Sequence, residues 1–213
     1  MLNNNPELEK YINDNTTDED PVLAELNRRT HLDTVYPQML AGKMQGRLLE
    51  MISRMARPEN ILEIGTFTGY SAICLARGLK DNGCLYTIEI NDEMTGYATE
   101  FFKKAGLSDK ITQLQGDARE IIPRLDKTFD LVYIDAEKDD YIQYYNLVID
   151  KVRPGGLILA DNVLWDEKVL EDPSKTDPTT RAIIEFNDLV CNDKRVVNLI
   201  LPIRDGLMLI RKV

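Results

Sequence analysis

Histidine is almost missing from this chain: His31 is the only one among 213 residues. That scarcity excludes multi-histidine metal sites and triads centred on an imidazole, and leaves His31 as a surface or helix-packing residue. Cysteine is nearly as scarce. Cys74, Cys84 and Cys191 lie far apart and form no C-x-x-C pair, so they read as reduced thiols, not as a disulfide framework or zinc site. No apolar run approaches the roughly 18 residues that cross a bilayer. The opening MLNNNPELEKYINDN has neither the basic start nor the apolar stretch of a signal peptide. A cytoplasmic protein without membrane association is the expectation. Positive charge is in deficit as well: 26 Lys and Arg face 36 Asp and Glu, a net charge of −10. Such a surface repels phosphate backbones, so nucleic acid is not the expected partner.

A hydrophobic content of 43% over this length is enough for one domain with a full core. Helical patterns occupy roughly 5–14, 19–34 and 42–56, with Pro58 closing the last. In that third segment Met44, Leu48, Leu49, Ile52 and Met55 recur at helical spacing, as a core stripe or, less simply, a partner interface. From residue 60 short apolar runs at 61–64, 84–90, 111–114, 129–134 and 156–160 alternate with helical stretches near 69–79, 92–105, 118–125 and 139–151. That alternation predicts a parallel sheet covered on both faces. After a helix near 179–192, the β-rich runs 195–201 and 207–212 flank Pro202-Ile203-Arg204-Asp205-Gly206, whose turn chemistry predicts a hairpin. The expected architecture is α/β: a Rossmann-like, mostly parallel sheet of seven strands with one antiparallel strand and helices on both faces. Residues 1–58 read as a helical arm or lid, for cofactor or dimer, on the 59–213 core of a single domain 1–213.

The segment Ile61-Leu62-Glu63-Ile64-Gly65-Thr66-Phe67-Thr68-Gly69-Tyr70-Ser71 passes from a strand through a glycine turn into a helix. Gly65 and Gly69 allow a tight turn and close approach to a ligand. Phe67 stands where the dinucleotide fingerprint has its second glycine, and its side chain obstructs the approach to a pyrophosphate. The loop therefore suits a nucleoside without phosphates better than NAD or FAD, and no Walker loop is present. Glu89 ends the next strand, where an acidic residue accepts hydrogen bonds from ribose hydroxyls; a solvated strand-end carboxylate is the alternative.

Asp135 follows the fourth strand directly, and Asp161-Asn162 follow the fifth. Open α/β sheets bind ligands beyond the carboxyl ends of their strands. On adjacent strands, about 5 Å apart, these side chains can converge. Two carboxylates and an amide oxygen form a hard, incomplete shell suited to Mg²⁺ or Ca²⁺, and the lack of soft ligands disfavours zinc. Each motif alone is also a common helix cap or turn. Lys138 lies three residues beyond Asp135. There a neighbouring metal and sulfonium would lower its pKa and make it a proton acceptor; a salt bridge with Glu137, Asp139 or Asp140 is the alternative.

Taken with Met39-Leu40-Ala41-Gly42, GDA (116–118), IDAEKDDY (134–141), ADNVLW (160–165) and LPIRDGL (201–207), these residues resemble the cation-dependent O-methyltransferases, the family of the catechol and caffeoyl-CoA O-methyltransferases. The resemblance runs from about Thr34 to Val213 and implies the class I methyltransferase fold. It also implies S-adenosylmethionine as cofactor, with Met39 and Ala41 bordering it and Glu63, Gly65, Thr66, Phe67 and Ser71 at its methionine portion. Glu89 would hold the ribose, with Ile90 and Ala118 beside the adenine. Asp135, Asp161 and Asn162 match the ligands of a divalent cation, Mg²⁺ ahead of Ca²⁺ or Mn²⁺, and Lys138 matches the proposed general base. The acceptor would be a small catechol-like aromatic with vicinal hydroxyls, and the assembly a homodimer. Leu199 stands where the catechol enzymes carry an acidic substrate contact six positions before their Asp-Gly; the caffeoyl-CoA branch has an apolar residue there too, which speaks against animal-type catechol specificity. Loop 163–178 would border the acceptor, with Trp165 as wall or packing residue. The competing expectations are a tRNA hydroxyuridine O-methyltransferase, a non-catalytic S-adenosylmethionine-binding protein and, more remotely, a NAD-dependent oxidoreductase.

Overall fold

Several helices start on an acidic or amide cap. Asp20 accepts from the Val22 and Leu23 amides ahead of α2 (Pro21–Asp33), Asn91 from Glu93 ahead of α5 (Asp92–Lys104), and Asp177 from Thr180 ahead of α8 (Pro178–Asn192). Each cap satisfies backbone donors that the first helical turn leaves open. Prolines 21 and 178 begin α2 and α8, where a missing N–H costs nothing. The computed structural model describes residues 5–172 and 175–213. Its other helices are α1 (Pro6–Asp14), α3 (Gly42–Ala56), α4 (Tyr70–Ala76), α6 (Ala118–Arg124) and α7 (Tyr141–Ile149).

The strands are β1 (Asn60–Ile64), β2 (Cys84–Glu89), β3 (Ile111–Gln115), β4 (Phe129–Ile134), β5 (Val152–Asp161), β6 (Val196–Leu201) and β7 (Leu207–Lys212). They form one sheet in the order β3-β2-β1-β4-β5-β7-β6, and only β7 runs antiparallel to its neighbours. This is the expected seven-stranded architecture. The strand order reverses between β1 and β4, which opens a crevice above their carboxyl ends.

Alternation along the central strands serves two cores. Ile61, Leu131, Tyr133 and Leu159 face α2–α5, meeting Leu23, Leu26, Leu49, Ile73 and Phe101. Leu62, Ile64, Val132, Ile134, Ile158 and Ala160 face α6–α8, meeting Ile122, Tyr145 and Phe186. Burial on both faces explains why these runs lack polar alternation. It also makes α2 and α3 one face of the main core. No helix among the described residues is long and apolar enough to cross a membrane.

Three expectations differ in detail. β5 begins at Val152, because the chain bulges through Arg153–Gly156 and keeps its pairing: Phe129 lies opposite Val152 and Leu131 opposite Leu157. Lys138–Asp140 form a 3-10 turn before α7 starts at Tyr141. The buried face of α3 is rotated from the expected stripe: it carries Gln45, Gly46, Leu49, Glu50, Ile52 and Ser53, whereas Met55 is 75% exposed. Polar partners at Gln45, Glu50 and Ser53 satisfy that face, so apolar periodicity alone misplaces it.

Candidate active site

A cavity of about 1130 Å³ lies over the carboxyl ends of β1, β2, β4 and β5. Met39, Ala41, Gly65, Thr66, Phe67, Ser71, Glu89, Ile90, Ala118, Asp135, Lys138, Asp161 and Asn162 all line it. Glu63 is the exception: it is 0% exposed, beneath the floor.

The glycine loop is held against β4. Gly65 has φ 98°, and a Cβ there would stand 2.0 Å from the Asp135 carbonyl oxygen. The Asp135 amide in turn donates to the Ile64 carbonyl at 2.9 Å. Phe67 also adopts a left-handed backbone, at φ 48°. Its amide donates to Glu89 Oε2 at 2.7 Å, and the Thr66 amide donates to the same oxygen at 3.1 Å. Among the described residues Glu89 Oε1 accepts only the Asn91 amide, at 2.9 Å, so it keeps capacity toward the cavity.

Glu63 accepts a 2.5 Å hydrogen bond from Thr87 Oγ1, while its Oε1 has no partner among the described residues. Burial first, and then the charges of Asp135 and Glu89, push its pKa up to about 8 against the hydrogen bonds from Thr87 and Ser71. At neutral pH it is a carboxylic acid.

Asp135 and Asp161 converge on one hydroxyl. Tyr133 Oη lies 2.8 Å from Asp161 Oδ2 and 3.4 Å from Asp135 Oδ2. Asp161 is 4% exposed; burial and then the charge of Asp135 raise its pKa. Its Oδ1 accepts the Asn162 amide at 2.8 Å, and Asn162 sits at φ 57°. The buried Asp161 carboxylate, whose ionisation the half-buried Asp135 opposes, with the Asn162 amide oxygen beside them, suits a hard cation that would relieve the repulsion. The donor chemistry fits a divalent ion held by Asp135, Asp161 and Asn162.

Lys138 Nζ donates to Asp135 Oδ1 at 3.1 Å and to the Ala136 carbonyl at 3.0 Å. The salt bridges expected with Glu137, Asp139 or Asp140 are not the ones made. In the protein alone, burial pulls its pKa down, but Tyr141, Asp135 and Asp161 outweigh burial and hold it above the ordinary lysine value; the lowering expected from a metal and a sulfonium concerns a site that holds both. The charges nearest this ammonium are negative, so they stabilise its protonated form.

Trp165 lines the cavity and also packs on the α6–α8 core, which joins the two expected roles. It opens a run of three left-handed residues, Trp165, Asp166 and Glu167. Asp205 pins that run by accepting the Asp166 amide. Of the expected acceptor loop 163–178, residues 173 and 174 lie outside the described residues. Leu199 is 55% exposed on the edge strand β6 and does not line the cavity. His31 is exposed.

Sequence reasoning missed Gln45, Tyr133 and Arg204. Gln45 Nε2 donates to Asp161 Oδ2 and, at 3.0 Å, to Tyr133 Oη. Arg204 donates to the Leu40 and Ala41 carbonyls and to Gln45 Oε1 at 3.4 Å. The available signal was phase: Gln45 falls in step with Leu49 and Ile52, a polar residue on an apolar face.

The O-methyltransferase family model matches residues 13–213. A catechol O-methyltransferase of Niastella koreensis is 34% identical over 177 residues, covering 81% of this chain and 79% of the relative. Caffeoyl-CoA O-methyltransferase 1 of Eucalyptus globulus is 34% identical over 187 residues, covering 82% and 75%. Among solved structures, the O-methyltransferase TomG of Streptomyces achromogenes, in complex with SAM, superposes with a TM-score of 0.90 at 29% identity, covering 97% of this chain and 96% of the other. An O-methyltransferase of Bacillus cereus in complex with SAH gives 0.91 at 27% identity, covering 100% of both. With its glycine loop, Glu89 and paired aspartates gathered in one cavity, the chain belongs to the O-methyltransferase family and is an S-adenosylmethionine-dependent O-methyltransferase.

Proposed function

We propose that this enzyme methylates a hydroxyl of a small catechol-like aromatic with the help of a divalent cation, Mg²⁺ first among the candidates. The observation that carries the reading is that Asp135 and Asp161, joined through the buried Tyr133 hydroxyl, both line the cavity that also holds the glycine loop. In this reading the 65–71 loop receives the methionine portion of the cofactor, Glu89 Oε1 the ribose, and Ile90 and Ala118 flank the adenine. A divalent ion at Asp135, Asp161 and Asn162 would lower the pKa of a bound hydroxyl and favour two vicinal oxygens over one.

The chain's own residues do the rest. The cavity walls align acceptor and sulfonium for in-line transfer, a positioning effect worth up to about 7–11 kcal/mol. Lys138 is protonated while Asp135 is its partner. Lys138 would take the acceptor's proton as an amine if its pairing with Asp135 were weakened by a cation held there, since losing that negative partner would lower the amine's proton affinity. Met39, Tyr36 and Trp165 supply apolar surface for an aromatic ring. The segment from Thr34 to Ala41 would act as a lid, and the assembly as a homodimer, which sedimentation of the purified chain would reveal.

The test is transfer from labelled S-adenosylmethionine to caffeic acid and a panel of vicinal diols, with Mg²⁺ and with excess chelator. Asp161→Ala is expected to reduce turnover to near background while cofactor affinity stays largely intact. Full activity in that variant, or in wild type under chelator, refutes metal assistance.

A further inference from the structure

We infer that Gln45 and Tyr133 are positioning residues that fix the Asp161 carboxylate for a divalent cation. The proposal rests on the metal reading above and adds to it two residues that bear no ligand themselves.

Gln45 comes from α3, outside the strand-end loops, and is 1% exposed. Its amide nitrogen donates to both Asp161 Oδ2 and Tyr133 Oη. The Tyr133 hydroxyl passes its own hydrogen to the nearer carboxylate, Asp161 Oδ2 at 2.8 Å. Oδ2 therefore accepts two hydrogen bonds, which fill the two sites a carboxylate oxygen offers. Oδ1 accepts one, from the Asn162 amide, and is the oxygen with a site to spare. The network thus holds the carboxylate at one rotation and reserves one oxygen. An unsupported buried carboxylate has no such constraint, and its outer partners are what orient a ligand and tune its basicity.

The support continues outward. Arg204, in the β6–β7 turn, donates to Gln45 Oε1 and to the carbonyls of Gln38, Leu40 and Ala41. Gln45 is thereby held at both ends of its amide, so its nitrogen cannot turn away from Asp161 by an amide flip. Met39, between the carbonyls Arg204 grips, lines the cavity. The wall of the acceptor site and the orientation of Asp161 are fixed by one set of hydrogen bonds.

The experiment measures Mn²⁺ binding by electron paramagnetic resonance of the free ion, on the full chain as wild type, Gln45→Leu and Tyr133→Phe. S-adenosylhomocysteine binding is followed by calorimetry on the same preparations. Gln45→Leu is expected to weaken Mn²⁺ binding by about 10–100-fold, Tyr133→Phe in the same direction, and both to keep S-adenosylhomocysteine affinity within about twofold. Tyr133→Phe retains the buried ring and loses one hydroxyl, so it reads the proposal should Gln45→Leu fail to fold. Unchanged Mn²⁺ affinity in the folded variants overturns the positioning role alone. Equal losses for Mn²⁺ and S-adenosylhomocysteine overturn it too, because they mark general damage. Absence of Mn²⁺ binding in wild type overturns the metal reading and the positioning role with it.

Discussion

Replacing Glu63 by glutamine removes an ionisable group from beneath the cofactor loop at nearly constant shape. In the folded chain the carboxyl titrates near 8, against 4.5 for an exposed glutamate. Between those values the folded state holds a proton that the unfolded chain has released. Stability therefore falls as pH rises from about 4.5 to 8, by about 1.4 kcal/mol per pH unit at most, and is unaffected by this group outside that window. The whole interval corresponds to about 5 kcal/mol, an upper figure because water entry or local relaxation reduces it. Glu63→Gln lacks this titration. Its amide also puts a nitrogen donor or an oxygen at the position of the unpartnered Oε1, which shifts stability by an amount independent of pH. Urea unfolding of cofactor-free wild type and variant at pH 5, 6.5 and 8 isolates the effect as a difference. The variant is expected to gain on wild type by several kcal/mol from pH 5 to pH 8. A difference that is flat with pH, or grows toward acid, refutes a proton held at Glu63.

Lys138→Ala is expected to lower the methyl-transfer rate by about 10²–10⁴-fold at neutral pH and by less at high pH, where the acceptor ionises without help. A small, pH-independent loss in the rate profile would return Lys138 to a structural ion pair with Asp135. Gly65→Ala is expected to abolish S-adenosylhomocysteine binding in calorimetry, because the added carbon meets the Asp135 carbonyl at 2.0 Å and the φ of 98° is strained for any other residue. Binding at wild-type affinity would show that the loop and β4 can separate without cost.

Much of this fold was legible in the sequence because its signals are local. The turn chemistry of Pro202–Gly206, the buried runs at 129–134 and 156–160, and the carboxylates placed immediately after strands each follow from a few neighbouring residues. Asp135 and Asp161 could be paired in advance because sequential strands of this pattern tend to be neighbours. What stayed hidden depends on contacts distant in the chain. Gln45 was masked by the apolar residues around it, since nothing near it in sequence shows that its partners are Tyr133 and Asp161. For Lys138 the alternative to a proton acceptor is an ion pair with Glu137, Asp139 or Asp140, but the 3-10 turn at 138–140 directs its ammonium back to Asp135. The strand expected over 156–160 begins earlier, at Val152, because β4 keeps β5 in register on both sides of the bulge.

The grip of Arg204 on the Leu40 carbonyl joins positions 164 residues apart. It is made from the turn between the last two strands, and β7 must insert between β5 and β6 before that turn reaches its place. During synthesis the segment around Met39 emerges early, yet its tether arrives only with the final hairpin. The Met39 wall of the cavity is therefore tethered only where the β6–β7 turn is in place.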